Sequence, residues 1–433
     1  MEKMKAAVEK AIDRNAAEVI GLVKDIEQHP ELGFQEHRTS KIVADYLRGC
    51  SYEVEDGLAL TGLKTSLKSG KNKYTVAFIG ELDGIICKDS PKASPADGAT
   101  HTCGHNLQLG ILMLIAKAMK EAGIAGHLDG NIAFMAIPAE EYIQLEYRRQ
   151  LRKENKIKYL SGKQEFIRLG LFDDIDAAIM LHAQPNSEEA SIHIYGTGNG
   201  FELKDVHCKG KTAHAAAAPH EGINALHALI QGINNINALR DTFRDEDHSR
   251  IHYIITKGGD NVNSVPSDTA LQGYVRSASI RSIKELSSKF DKAFLSAGEN
   301  FNAKMSVSTS AGYMPLICNH SLNEIFVSNV RNFLPEDKIY NKGHFMASTD
   351  LGDLSHIIPV IQPMMGGIKG GLHSPDFEVV DYNAAITLPA KIAANTIIDL
   401  LTNDTLSTIL ESYKPELSKE EYLQLMDKDI NNE

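Results

Sequence analysis

The segment His101-Thr102-Cys103-Gly104-His105-Asn106 places a thiol and an imidazole two residues apart at the start of a helical stretch. Thiolate and imidazole are ligands for a transition metal, and a helix N-terminus favours the deprotonated thiol. Alone, the pair is a weak signal. Upstream, Phe78-Ile79-Gly80-Glu81-Leu82-Asp83 runs from an apolar stretch into acids, which is where open α/β sheets carry site residues. Asp83 there either ligates or orients a ligand. Pro138-Ala139-Glu140-Glu141 follows a second apolar run. One of its carboxylates can bind metal while the other works as a base; the plainer reading is a first helical turn whose acids complement the dipole. His182 and His373 follow further strand-like stretches, and singly each reads as structural. Together Cys103, His105, Glu141, His182 and His373 are too few for two closed structural sites. They suit a pair of metals that share one bridging ligand and leave a position to water.

Later in the chain, His214 sits among small residues in Lys211-Thr212-Ala213-His214-Ala215, so backbone or ligand can approach closely. Asn263 precedes Val265-Pro266, and Arg276 ends a strand-like run where its guanidinium could fork onto a carboxylate. Gly196-Thr197-Gly198-Asn199-Gly200 resembles part of a dinucleotide loop, but a strand-like stretch follows it and the phosphate-binding geometry is missing. No GxSxG elbow and no P-loop occurs. Tyr147–Tyr159 carries Arg148, Arg149, Arg152, Lys153, Lys156 and Lys158. This run reads as a solvated helix face, or as a basic rim that steers an acidic substrate or partner.

The elements that must hold these residues alternate. Apolar positions Ala7, Ile12, Val19, Leu22, Val23 and Ile26 predict a helix over 3–28, stopped by His29-Pro30. A second helix is expected over 36–48. Strands are expected at 75–79, 131–136, 177–181 and 191–195, with helices at 107–122 and 164–169 between them, which makes an α/β fold with a largely parallel sheet. From about residue 200 the pattern becomes strand, helix, strand, strand, helix, strand (201–209, 223–239, 251–257, 269–276, 282–301, 305–310), the ferredoxin-like split βαβ order. The α/β alternation then resumes, with a helix at 321–333, a strand at 357–361 and a helix at 383–402. The expected organisation is one discontinuous domain, 1–197 with 312–433, and an inserted α+β domain, 198–311. The last twenty residues read as a peripheral helix and a frayed end.

Composition narrows the function. With 45 basic against 57 acidic residues, the net charge is -12, which argues against nucleic acid or an anionic membrane as the main partner. No apolar run approaches the ~20 residues of a bilayer span, and the N-terminus lacks the pattern of a secretion signal. Five scattered cysteines without a CxxC suit a reduced, cytoplasmic protein. Of the 17 histidines, only His105, His182, His214 and His373 keep a chemical reading.

The order of these segments resembles one family. His29-Pro30-Glu31-Leu32-Gly33-Phe34-Gln35-Glu36, Cys103-Gly104-His105, Pro138 to Glu141, Leu181-His182, Lys211 to His214, Asn263-Ser264-Val265-Pro266 and His373-Ser374-Pro375 are similar to the metal-dependent aminoacylase and carboxypeptidase family, in its amidohydrolase subfamily. Cys103 to Asn106, Asn224 to His227 and Ser348-Thr349-Asp350 resemble its p-aminobenzoyl-glutamate hydrolase-like branch, which also contains dipeptidases. The commoner subfamily pattern has Asp at 106 and His at 108, where this chain has Asn106 and Gln108. The Glu141–His182 link is also longer than usual.

The resemblance implies a three-layer α/β/α catalytic domain of zinc-exopeptidase type with an inserted lid and dimerisation domain. It implies two divalent ions per subunit, zinc or manganese. Cys103 would bridge them, and His105, Glu141, His182 and His373 would complete the set. Glu140 would be the general base. His214 would reach a partner subunit's site and stabilise the oxyanion, and Asn263 and Arg276 would contact substrate, Arg276 at its carboxylate. The implied partners are a small amide or dipeptide substrate and a second copy of the chain, as a homodimer or higher homo-oligomer. A catalytically idle metabolite-binding or structural homologue is the competing reading.

Overall fold

The computed structural model describes residues 1–430. The chain divides into two compact units. The first comprises residues 1–196, 317–343 and 353–418, and the second 197–316, 344–352 and the C-terminal segment from 419. The stretches 344–352 and 419 onward, which the sequence reading leaves with the first domain, cluster with the second.

In the first unit, α1 (Glu2–Gln28) and α2 (His37–Gly49) precede a hairpin, β1 (Glu55–Leu58) and β2 (Gly62–Leu67). There follow β3 (Thr75–Glu81), α3 (His105–Glu121), β4 (Asn131–Ile137), α4 (Leu145–Lys153), α5 (Gly162–Arg168) and β5 (Ala177–Met180). The sheet order is β1-β2-β4-β3-β5, with Val360–Ile361 beyond β5. β3 runs parallel to β4 and β5, and β2 is antiparallel to β4. All seven residues of β3 are buried, as expected of a parallel strand covered on both faces. The β1–β2 hairpin has no counterpart among the expected strands: β1 is solvent-facing and short, and in β2 three polar residues separate Leu63 from Leu67.

α3 is apolar nearly all round and almost wholly buried. Its neighbour α1 is amphipathic and presents Val8, Ile12, Val19, Val23 and Ile26. The two helices touch closely at Gly110, where a Cβ would lie 2.5 Å from Val23 Cγ2. The helix expected over 383–402 begins as a π-turn (Asn383–Thr387) and continues as an α-helix through Leu400.

The second unit contains β6 (Gly200–Lys209), α6 (Ala225–Ala238), β7 (Arg250–Lys257), β8 (Asp268–Ser277), α7 (Ile280–Asn300) and β9 (Lys304–Ala311). Its antiparallel sheet has the order β7-β8-β6-β9. β8 alternates strictly, with Leu271 and Val275 turned into a core with Leu229, Ile236, Phe290 and Phe294. Ser279 and Ser282 form a reciprocal capping box that starts α7. The C-terminal helix α8 (Lys419–Ile430) buries Tyr422 and Met426. The frayed end expected beyond it lies outside the described residues. No single helix among the described residues is long and apolar enough to cross a membrane.

Candidate metal centre

Four turns at strand and helix ends converge in the first unit. Gly104 takes φ +84° immediately before α3, and a Cβ there would lie 2.7 Å from Ala183 Cβ. That turn presents Cys103 and His105 on either side of a residue that must be glycine. His182 enters on a two-residue strand paired in parallel with Met364–Met365. His373, at φ +56°, is tied by its N–H to the Thr102 carbonyl at 2.9 Å. Glu140 and Glu141 follow β4 through Ala139, itself at φ +56°.

The side chains meet in two trios. Cys103, His105 and His182 offer ligand atoms within 4.8 Å of one another, and so do Cys103, Glu141 and His373. Cys103 Sγ lies 3.5 Å from His182 Nε2 and 3.3 Å from His373 Nε2, and His373 Nε2 is 3.0 Å from Glu141 Oε1. His105 Nδ1 donates to the Asp83 carbonyl at 2.8 Å, with Asp83 Oδ1 at 3.1 Å, so in the neutral ring the lone pair is on Nε2. His182 Nδ1 faces the Ala183 carbonyl at 3.1 Å with the same result. Asp83 also accepts the Glu141 N–H at 2.8 Å. It therefore orients the ligand-type side chains rather than joining either trio.

His105 Nε2 and Glu141 Oε1 are buried and, although Glu81 Oε2 and His373 Nε2 stand within ion-pair distance of them, neither makes a hydrogen bond of good geometry among the described residues. Buried polar atoms left so are costly. Here both belong to a sulfur, nitrogen and oxygen donor set at ligand spacing, and the residues fit a divalent metal pair.

The electrostatics agree. Burial and Glu141 push the Cys103 thiol up, but His105, His373 and His182 outweigh them and hold it down at about 6, so the thiolate forms readily. Burial disfavours charge on His373, yet Glu141 and Cys103 raise it to about 11. His105 is also raised: Glu81 and Cys103 overcome its burial.

A third group, Glu81, His105 and Glu140, adjoins the first trio. Glu81 Oε2 is 3.1 Å from His105 Nε2 and accepts from Gln108 Nε2 at 2.8 Å, while Oε1 pairs with Lys163 Nζ at 2.5 Å. Glu81, His105 and Lys163 are fully buried. Glu140 Oε2 lies 3.8 Å from His105 Nε2.

The residues picked out in the second unit do not gather at one point within it. Ala215 N–H bonds the Asn263 carbonyl at 2.9 Å, and His214 bridges Ser264, so His214 and Asn263 are neighbours. The His214 Nδ1 accepts from the N–H groups of Ala216 (3.2 Å) and Ala217 (3.1 Å), which leaves the proton on the exposed Nε2. Arg276 lies at the far end of β8, roughly 25 Å or more along the strand at ~3.3 Å per residue. There its Nη1 bonds Ser348 Oγ at 2.8 Å, its Nε faces His252 Nε2 at 3.1 Å, and its plane lies over Phe201 and Tyr274.

Sequence reasoning missed Lys163, the local role of Glu81, and Glu36, whose Oε1 accepts the Ala139 N–H at 2.8 Å. It also misjudged one residue of the basic run. Arg148 is fully buried, so neither a solvated face nor a rim describes it, although Lys153, Lys156 and Lys158 are exposed.

A family model described as Peptidase family M20/M25/M40 matches residues 75–397. The chain belongs to this family. It is thus a metal-dependent hydrolase, and the idle homologue is set aside. Among its relatives in the M20/M25/M40 family, the Xaa-Arg dipeptidase of Mus musculus is 27% identical over 98% of this chain and 95% of its own length. The Homo sapiens protein of the same name is 26% identical over 99% and 96%.

Among solved structures, a dinuclear metal-binding peptidase of Bacillus subtilis aligns with TM-score 0.69 at 19% identity, covering 90% of this chain and 99% of that one. The aminobenzoyl-glutamate utilization protein of Klebsiella pneumoniae aligns with TM-score 0.65 at 16% identity, covering 92% and 99%. These alignments support the same fold, an α/β catalytic domain with a smaller α+β domain.

Proposed function

We propose that this family member is a two-metal amidohydrolase that cleaves the amide bond of an N-acyl or aminobenzoyl amino acid, or of a dipeptide, bearing a free carboxylate. The observation that carries the reading is the single sulfur, Cys103 Sγ, common to both ligand trios. In this reading Cys103, His105 and His182 would hold one ion and Cys103, Glu141 and His373 the other. Zinc and manganese both suit such a donor set, since selectivity depends on availability as well as ligands. When bound, the pair supplies Lewis acidity and lowers the pKa of a water.

The chain's own groups supply the rest. The Glu140 carboxylate, beside the first trio, takes a proton from water and returns it to the leaving amine nitrogen. His214, with its proton fixed on Nε2, donates to the developing oxyanion. Arg276, held by Ser348 and two aromatic faces, is preorganised to fork onto the substrate carboxylate, and the Asn263 amide contacts the substrate. The separation of His214 and Asn263 from Arg276 along β8 supports a homodimer in which His214 serves the partner subunit. The second unit then acts as lid and dimerisation domain. All five cysteines are free, which supports a reducing, cytoplasmic setting.

Two substrate classes stand out. Similarity to the Xaa-Arg dipeptidases, which are the more similar in sequence and matched nearly end to end, favours dipeptides with a C-terminal arginine. The Klebsiella structure favours aminobenzoyl-glutamate. A panel of Xaa-Arg and Xaa-Lys dipeptides, aminobenzoyl-glutamate and N-acetyl amino acids, assayed with zinc, manganese and cobalt in turn, separates them. Glu140→Gln should keep its metal and lose nearly all turnover. Turnover retained by that variant would refute the base assignment, and a panel without any hydrolysis would refute the substrate class.

A further inference from the structure

We propose that Arg148 is a positioning residue of the metal centre that acts through Glu140 and Glu141. It comes from the α4–α5 stretch between Glu141 and His182, and its guanidinium is fully buried. Among the described residues its hydrogen bonds go to backbone carbonyls rather than to a carboxylate. Nη1 donates to Leu160 O at 2.6 Å and Ala139 O at 3.3 Å, and Nη2 donates to Glu141 O. Residues 139 and 141 flank Glu140, so one planar cation gathers the peptide groups on both sides of it. Fixing those planes fixes the directions in which the Glu140 and Glu141 side chains leave the backbone.

The rest of the cradle is built to the same end. Glu36 Oε1 accepts the Ala139 N–H at 2.8 Å and Asp83 Oδ2 accepts the Glu141 N–H at 2.8 Å. The segment is thus held by acceptors on its N–H groups and by Arg148 on its carbonyls. Ala139 stays at φ +56°, a conformation that costs an L-residue about 1–2 kcal/mol and needs such support. The Phe34 ring lies 5.4 Å from the Arg148 Cζ. Gly33 leaves room for the guanidinium, since a Cβ there would lie 2.4 Å from Nη2 and 2.9 Å from Ala139 Cα. At Gly162 a Cβ would lie 1.8 Å from the Pro138 carbonyl oxygen. The His29–Glu36 motif and the long Glu141–His182 link therefore both pack against this turn. Lysine cannot replace the fork, because a single ammonium cannot span the carbonyls of 139, 141 and 160 in one plane.

The activity readout rests on the function proposed above; the metal readout does not. Arg148→Lys and Gly33→Ala are compared with wild type for kcat, KM, near-ultraviolet circular dichroism and the rate of zinc loss to a chelator. For Arg148→Lys, kcat should fall about 100-fold with KM within about 3-fold, the signature of a displaced reacting group. Zinc should leave about 10-fold faster, as when groups behind a metal ligand are lost. Gly33→Ala keeps the cation but displaces it and should shift both readouts the same way. A folded variant of either kind with wild-type kcat and zinc loss overturns the proposal. So does an Arg148→Lys that cannot fold beside a Gly33→Ala with wild-type readouts, since the guanidinium would then serve the fold alone. Should no panel substrate be cleaved, faster zinc loss still supports the positioning role, and unchanged zinc loss refutes it.

Discussion

Lys163→Met tests the buried charge next to His105. Lys163 Nζ and Glu81 Oε1 are 2.5 Å apart, and neither side chain is exposed to solvent. Removing one partner of a buried pair costs about 3–5 kcal/mol, because the other charge remains buried and uncompensated. Glu81 keeps the Gln108 amide, so the lower end of that range, about 3 kcal/mol, is expected. At roughly 2 °C per kcal/mol for a large domain, the melting temperature should drop by about 6 °C at pH 7.

The pH dependence has a definite sign. Burial alone would raise the Glu81 pKa, but Lys163 and then His105 dominate and depress it below its usual 4.5. A carboxylate depressed in the folded state contributes stability that is present above the unfolded pKa and lost as pH falls through the folded one. Lys163→Met removes most of that contribution and leaves burial to raise Glu81. Its deficit should therefore be largest at neutral pH and shrink towards pH 5, where Glu81 takes up a proton. Glu81→Gln combined with Lys163→Met should recover much of the loss. Calorimetry of the three proteins at one fixed zinc concentration measures this. A single variant within 2 °C of wild type at pH 7, taken as roughly 1 kcal/mol, refutes the reasoning. So does a double variant no better than the single one.

Cys103→Ser replaces the soft shared ligand and should lower the retention of both ions together, read as metal content after gel filtration; loss of one ion with full retention of the other would count against the shared sulfur. Gly104→Ala should destabilise by about 1–2 kcal/mol from its left-handed backbone alone, with a further cost from the 2.7 Å approach to Ala183; an unchanged melting temperature would contradict the turn. Glu36 is raised to about 8 by burial and then by Asp83, so its contribution is present below pH 4.5 and is lost as pH rises through about 8. Between pH 6 and 9 the melting temperature of Glu36→Gln should therefore fall less than that of wild type, and parallel curves would refute this.

Much of the centre was legible because Glu141 and His182 close apolar strands, and the ends of buried strands are where α/β sheets place site residues. The split βαβ order was legible because β8 alternates strictly and both helices are amphipathic. What was hidden depends on long-range partners. Lys163 and Glu81 lie 82 positions apart, and nothing in either neighbourhood marks the other. Arg148 bonds main-chain carbonyls, which every residue possesses, so its role leaves no trace in residue types. Its run of basic neighbours pointed the other way, towards solvent. β1 escaped because an exposed edge strand lacks the apolar pattern that betrays central ones, and β2 because the polar Lys64, Thr65 and Ser66 separate its two leucines.

The sulfur of Cys103 has a further consequence. Sulfenic acid formation or alkylation would remove its thiolate electron pairs from both trios in one chemical event. Such a centre has a single point of oxidative failure, and its inactivation by peroxide should follow the modification of one atom without a half-active stage. The residue is only 5% exposed, so burial guards that atom.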